Sequence, residues 1–207
     1  TVTVAWGRYN PPTIGHEKLF QSVNKVASGN SFRIYASQTN KPKTDPLDYK
    51  TKVKYLRKMF PRYARSIMYA PKVRTLFDLL QTCYDEGFTR LTIVAGSDRV
   101  KEYEVLANKY NNRKGRHGFY NFEGGINVVS AGQRDPDGEG ASGMSASKLR
   151  AAAADNDFQS FSNGMPKGFK DAQKLFNDVR KGMGLKESYD YRSHIQLEPY
   201  PRKEKST

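Results

Sequence analysis

Apolar, β-branched runs alternate with helical patterns along the chain. Residues 2–6 (VTVAW) read as a strand, and 14–28 as a helix with Ile14, Leu19, Phe20, Val23 and Val26 mostly on one side and Gly29 ending it. A second strand, 32–37, precedes a helix over 46–59. Asp45 is placed to cap that helix, Pro46 suits its first turn, and Pro61 stops it. SIMYA, 66–70, reads as a third strand, followed by a helix over 75–86 with Thr75 as cap and Gly87 at its end. LTIVAG (91–96) is a fourth strand with a helix over 98–108 behind it. INVVS (126–130) is a fifth, and a helix over 145–154 opens on Ser145. This alternation predicts an α/β, Rossmann-like three-layer fold with a five-stranded parallel sheet, C-terminal helices and an extended basic tail.

Two stretches break the rhythm. Residues 108–124 interleave Lys109, Arg113, Lys114 and Arg116 with Tyr110, Phe119, Tyr120 and Phe122, an insertion expected to form a loop or small hairpin. After a last helix near 169–181, residues 184–207 are polar and basic. The chain therefore divides into a main domain, 1–168, and a helix with a tail, 169–207.

Composition narrows the classes. The 207 residues carry 35 lysines and arginines against 21 acids, a formal charge of +14, which favours an anionic partner without choosing among nucleotide, phosphorylated metabolite and nucleic acid. No stretch approaches the roughly 20 apolar residues of a membrane helix, and the start lacks the layout of a secretory signal. A cytoplasmic protein is expected. Cys83 reads as a buried core thiol, and His16, His117 and His194 lie too far apart for a structural metal site.

In open α/β sheets ligands bind beyond the carboxyl ends of the strands. The unusual segments fall there: GRYNPPTIGH (7–16), then Ser37 to Thr39 with Lys41 and Lys43, then GSD (96–98), then the run 131–147. In the first, Gly7 lets the chain turn, Pro11 and Pro12 stiffen the loop, and Gly15 and His16 open a helix whose amides and dipole favour phosphate. A Pro-rich turn with Thr13 as cap is the plain alternative. In GMSASKLR (143–150), Ser145 and Ser147 present hydroxyls at a helix start and Arg150 lies a turn later. A capped amphipathic helix explains that segment equally well.

The pair TIGH and MSASKLR resembles the nucleotidylyltransferase superfamily, with its (H/T)xGH motif after the first strand and its late ISSTxxR-type motif at a helix start. The likeness covers roughly residues 2–155. GRYNPPTIGH looks most like the nicotinamide-mononucleotide and phosphopantetheine adenylyltransferases, and GSD with DPLDYKTKVKYLRKMF is similar to the first of these. Thr13 stands where many members have histidine, and Ala146 where many have a second serine. With its tail, the sequence also resembles cytidylyltransferase-like proteins of tailed bacteriophages, which would place it in the host cell cytoplasm or in the virion.

The resemblance implies transfer of a nucleoside monophosphate, AMP from ATP first, to a small phosphorylated acceptor such as nicotinamide mononucleotide, with pyrophosphate released by in-line attack. His16, Thr13 and Arg150 would be catalytic. Gly7, Arg8, Tyr9, Asn10, Gly15, Gly96, Asp98, Ser145 and Ser147 would bind the nucleotide, and Lys41 and Lys43 the acceptor. Asp98 serves equally as a helix cap. Mg2+ would accompany the triphosphate, with no protein ligand assigned. Other acceptors would make the chain a cytidylyltransferase or a pantetheine-phosphate adenylyltransferase. From another class, a non-catalytic nucleic-acid-binding or virion protein on the same fold is supported by the charge, the insertion and the tail, and a homo-oligomer or larger assembly is left open. A dehydrogenase and a P-loop enzyme are disfavoured, because GxGxxG and GxxxxGK(S/T) are missing.

Overall fold

The computed structural model describes residues 1–132 and 144–185. Four parallel strands, β1 (Val2–Gly7), β2 (Ser31–Ala36), β3 (Leu91–Ala95) and β4 (Ile126–Ser130), lie in the order β2-β1-β3-β4. β1 is central, paired with β2 from Val2↔Ser31 to Gly7↔Ala36 and with β3 from Val2↔Leu91 to Val4↔Ile93. The helices among the described residues are α1 (His16–Ala27), α2 (Tyr49–Met59), α3 (Leu76–Asp85), α4 (Val100–Lys109), α5 (Ala146–Ala154), α6 (Phe158–Ser162) and α7 (Ala172–Gly182).

Strand side chains alternate between faces, and both faces are covered, which explains why β1 and β3 read as continuous apolar runs. Val2, Val4, Leu91 and Ile93 meet Leu79, Leu80 and Cys83 of α3 and Ala107 of α4. Ala5 and Val94, one residue out of phase, pack on Val23 of α1. On that side α1, α2, α5, α6 and α7 share a core of Phe20, Leu56, Leu149, Phe161, Phe176 and Val179. Cys83 is fully buried, as expected, and burial pushes its thiol up to about 11.

Three expectations need correction. The sheet has four strands, not five, because residues 66–70 make only one bridge, Ile34↔Ile67. Ser66 and Met68 bond the backbone of Ile34, but the Arg57 guanidinium takes the Ile67 carbonyl, and the Tyr49 hydroxyl takes the Ala70 amide. Side chains thus occupy backbone groups that a strand would offer. Second, α2 is capped by Asp48, whose carboxylate accepts from the Thr51 amide, and not by Asp45. Third, α6 was not foreseen; Asp157 caps it. Thr75 does cap α3, in a reciprocal capping box with Asp78.

The insertion is a hairpin over Gly115 and Gly118, with Tyr120 and Phe122 buried in the core. The tail beyond residue 185 and most of the run after Gly132 lie outside the described residues. No helix among the described residues is long and apolar enough to cross a membrane.

Candidate functional site

The loop after β1 is held from three sides. Its Asn10 side chain donates to the Leu47 carbonyl (3.1 Å) and accepts from the Leu47 amide (2.9 Å). Arg8 forms two bonds to the Asp45 carboxylate, both 3.0 Å, and a third to the Thr44 carbonyl. Arg150, from the first turns of α5, donates to the Asn10 carbonyl at 2.8 Å and to Ser147 Oγ at 3.2 Å. The two motif segments, 140 residues apart at that bond, therefore meet at the carboxyl edge of β1. The 38–47 segment joins them through Arg8 and Asn10.

Inside the loop, Gly7 continues β1 and its carbonyl accepts from the Ser37 amide. A Cβ on Gly7 would lie 2.6 Å from the Tyr9 ring, so this glycine is required to seat that ring. Tyr9, at φ 45° and 2% exposed, packs edge-on against His16 (4.9 Å) and Phe20 (5.6 Å). Asn10 is 1% exposed with its amide engaged by Leu47. Tyr9 and Asn10, expected to touch nucleotide, thus shape the loop with their side chains instead.

The Thr13 amide donates to His16 Nδ1 at 2.9 Å. Nδ1 must then be the acceptor, which puts the proton of the neutral imidazole on Nε2 and fixes the ring plane. Other amides here are also engaged. Ile14 donates to Gly164, Gly15 to Thr13 Oγ1, His16 to the Thr13 carbonyl and Glu17 to that of Ile14. The expected backbone cradle for phosphate at the start of α1 is therefore not available; its amides bond within the protein. The start of α5 differs. Ser145 caps it through the Lys148 amide (3.2 Å), while the Ala146 and Ser147 amides meet no acceptor among the described residues.

Charge gathers at the junction of these segments. Lys52, in the first turn of α2, is fully buried, and its ammonium finds no hydrogen-bond partner among the described residues. Burial lowers its pKa to about 8, with Asp45 pulling it up and Arg8 pushing it down. Burial also lowers Arg150, which feels the charges of Arg8 and Asp45. Burial pushes the Asp45 carboxyl up, but bonds from Arg8 and Thr44 and the Arg8 and Lys52 charges outweigh it and hold it below the ordinary value. Arg8, Lys52 and Arg150 are thus three cations around one carboxylate. A half-buried excess of positive charge is unfavourable unless an anion joins it.

The remaining expected positions are peripheral. Lys41 and Lys43 are exposed on a turn closed by the Lys41–Asp45 backbone pair. Gly96 and exposed Asp98 follow β3 at the same sheet edge, with no hydrogen bond to the other segments. Asp98 does not cap α4, whose N-cap is Arg99. Sequence reasoning missed Lys52 because a lysine in an amphipathic helix is read as solvated by its type. The signal that could have exposed it is its place, with Val53, Tyr55 and Leu56, on the apolar side. Among the described residues no cluster of histidine, cysteine or carboxylates could hold a metal ion.

No protein-family model matches the chain, and no curated protein matches it. Among solved structures, the fold is similar to that of a protein assigned as a nicotinate-nucleotide adenylyltransferase from Vibrio parahaemolyticus. The TM-score is 0.53 at 15% identity, over 86% of this chain and 99% of that one. It is also similar to a bifunctional NMN adenylyltransferase/ADP ribose pyrophosphatase from Francisella tularensis, with TM-score 0.52 and 12% identity, over 88% of this chain. The match spans about half of that enzyme, 52%. At these identities the likeness is one of fold.

Proposed function

We propose that the chain is a nucleotidylyltransferase that transfers AMP from ATP to a small phosphorylated acceptor, with nicotinamide mononucleotide the first choice. The observation that carries this reading is the Arg150–Asn10 bond, which sets the start of α5 against the TIGH loop beside three cations and one carboxylate. The shared fold with two adenylyltransferase structures supports it.

An oxygen of the acceptor phosphate attacks the α-phosphorus, a new P–O–P bond forms, and the bond to the bridging oxygen breaks to release pyrophosphate. Side chains serve by positioning and by stabilising charge. His16 Nε2–H donates to an α-phosphate oxygen, its ring fixed by the Thr13 amide and Tyr9. The Ala146 and Ser147 amides, the Ser145 and Ser147 hydroxyls and Arg150 hold the departing phosphates. Lys52 and Arg8 neutralise charge beneath them, and Lys41 or Lys43 approaches the acceptor phosphate. Mg2+ would accompany the triphosphate as part of the substrate and would supply charge neutralisation there, with no residue of this chain assigned to hold it.

The test is pyrophosphate release from a panel of nucleoside triphosphates with nicotinamide mononucleotide, phosphopantetheine and phosphorylated alcohols as acceptors. NAD formed from ATP and nicotinamide mononucleotide is the expected product. His16→Ala should lower turnover about a hundredfold or more with nucleotide affinity little changed. Absence of pyrophosphate release with every pair would sink the enzymatic reading and leave the non-catalytic one. CTP used in preference to ATP would move the assignment to a cytidylyltransferase.

A further inference from the structure

The insertion builds a second feature that the proposed reaction does not use. It enters β4 at its amino-terminal end, whereas the candidate site lies at the carboxyl ends of the strands, and the two share no residue. Its hairpin is set by reciprocal Gly115 and Gly118 backbone bonds (3.2 and 3.0 Å), with Arg116 and His117 at the tip. The hairpin is anchored by the Tyr120 hydroxyl on the Ala107 carbonyl (2.7 Å) and by Asn111 on the Phe122 amide (2.9 Å).

This anchoring divides the aromatics into two groups. Tyr120 and Phe122 are buried and belong to the core. Phe77, Tyr110 and His117 are half-buried, with ring centroids 4.7–5.4 Å apart, and line an open hollow of about 400 Å³. His117 is held by an Nε2–H bond to the Arg113 carbonyl (2.9 Å). Gly115 allows this, since a Cβ there would come 2.9 Å from the imidazole.

The rest of the wall is Arg113, Lys114 and Arg116, all exposed, none in an ion pair among the described residues, and no acid lines the hollow. Lys109 lies over the Tyr110 ring at 5.4 Å. A local mini-core accounts for Tyr120 and Phe122 but gives no reason to gather like charges around three accessible rings.

We infer that this hollow binds single-stranded nucleic acid, one unstacked base against the Tyr110, His117 and Phe77 rings and the flanking phosphates on Arg113, Lys114 and Arg116. One ring face of this tilted trio, edged by the other two rings and rimmed by cations, matches a base with its phosphates, because every base has a π-face and guanidinium pairs well with phosphate. Duplex hides its base faces inside the stack and offers only its phosphates. Arg113 and Lys114 precede the hairpin turn and Arg116 lies within it, so the three cations can meet more than one phosphate of a backbone.

The experiment is fluorescence anisotropy of a labelled single-stranded oligothymidylate with the full chain, across a salt series. Duplex of the same length and polyglutamate serve as competitors. Tyr110→Ala should weaken binding about tenfold, and Tyr110→Phe should bind like the wild type. Arg113→Ala with Arg116→Ala should weaken binding and lower the slope of log affinity against log salt by about two. Both substituted arginines are exposed, so their loss leaves the fold intact; unchanged thermal unfolding is the check. Unaltered affinity in Tyr110→Ala and in the arginine pair, or equal competition by duplex or polyglutamate, would overturn the proposal. Ultraviolet crosslinking of a bromouridine-containing strand to Tyr110 or His117 would support it directly.

Discussion

At the scale of single residues, Lys52 is the side chain with the plainest functional signature. A buried ammonium with no hydrogen-bond partner costs stability, and burial leaves its pKa near 8 against about 10.4 for a lysine in an unfolded chain. Between those values the unfolded state binds more protons, so wild-type stability should rise as pH goes from about 8 to 10, by at most about 3 kcal/mol. Lys52→Met should lack that rise in chemical unfolding and should be no less stable at pH 7. Its pyrophosphate release should nevertheless fall about tenfold or more if the amine meets a phosphate. A stable variant with full activity would assign Lys52 no part in the chemistry. The residue escaped sequence reading because a helix lysine is taken as solvated by its residue type, although its spacing to Tyr55, Leu56 and Met59 puts it on the apolar side. Asp45 was misread for a related cause. A carboxylate ahead of a helix looks like a cap, and only the folded chain brings Arg8, 37 positions away, onto it.

At the scale of elements, the alternation of strands and helices was legible because β1 and β3 are buried on both faces and the helices that cover them have an apolar side. Segment 66–70 has the same β-branched, apolar look, and its failure to join the sheet follows from Arg57 and Tyr49, long side chains whose reach the sequence does not reveal. The start of α5 was read correctly: Ser145 is its cap. Ser145→Ala should cost about 1 kcal/mol in thermal or denaturant unfolding. If the hydroxyl also meets the leaving phosphates, it should slow pyrophosphate release beyond what the lost stability explains, and Ser145→Asp should restore stability without restoring turnover. The amide cradle expected at the start of α1 failed for a local reason. The turn over Thr13 and Ile14 consumes those donors, and the one bond from Ile14 to Gly164 depends on a segment 150 residues away.

At the scale of the whole molecule, the C-terminal helices are continuous with the core rather than attached to it. Leu175, Phe176 and Val179 of α7 pack in the same cluster as Phe20 of α1 and Leu56 of α2. Gly182, in the last turn of α7, lies so close to Pro46 that a Cβ would sit 1.9 Å from the Pro46 carbonyl oxygen. Gly182→Ala should destabilise the fold by about 1–3 kcal/mol. It should also loosen the 44–47 segment that carries Asp45 and receives Asn10, so that hydrogen exchange at Leu47 accelerates more than at β1. Equal acceleration at both would show a global effect only. The Ile14–Gly164 bond has a further consequence for how the molecule is made. The ribosome delivers GRYNPPTIGH well before the carbonyl that clamps this loop, which is synthesised 150 positions later. A nascent chain halted before Gly164 emerges holds the motif without its clamp, so the loop takes its final shape only once that later segment has left the ribosome.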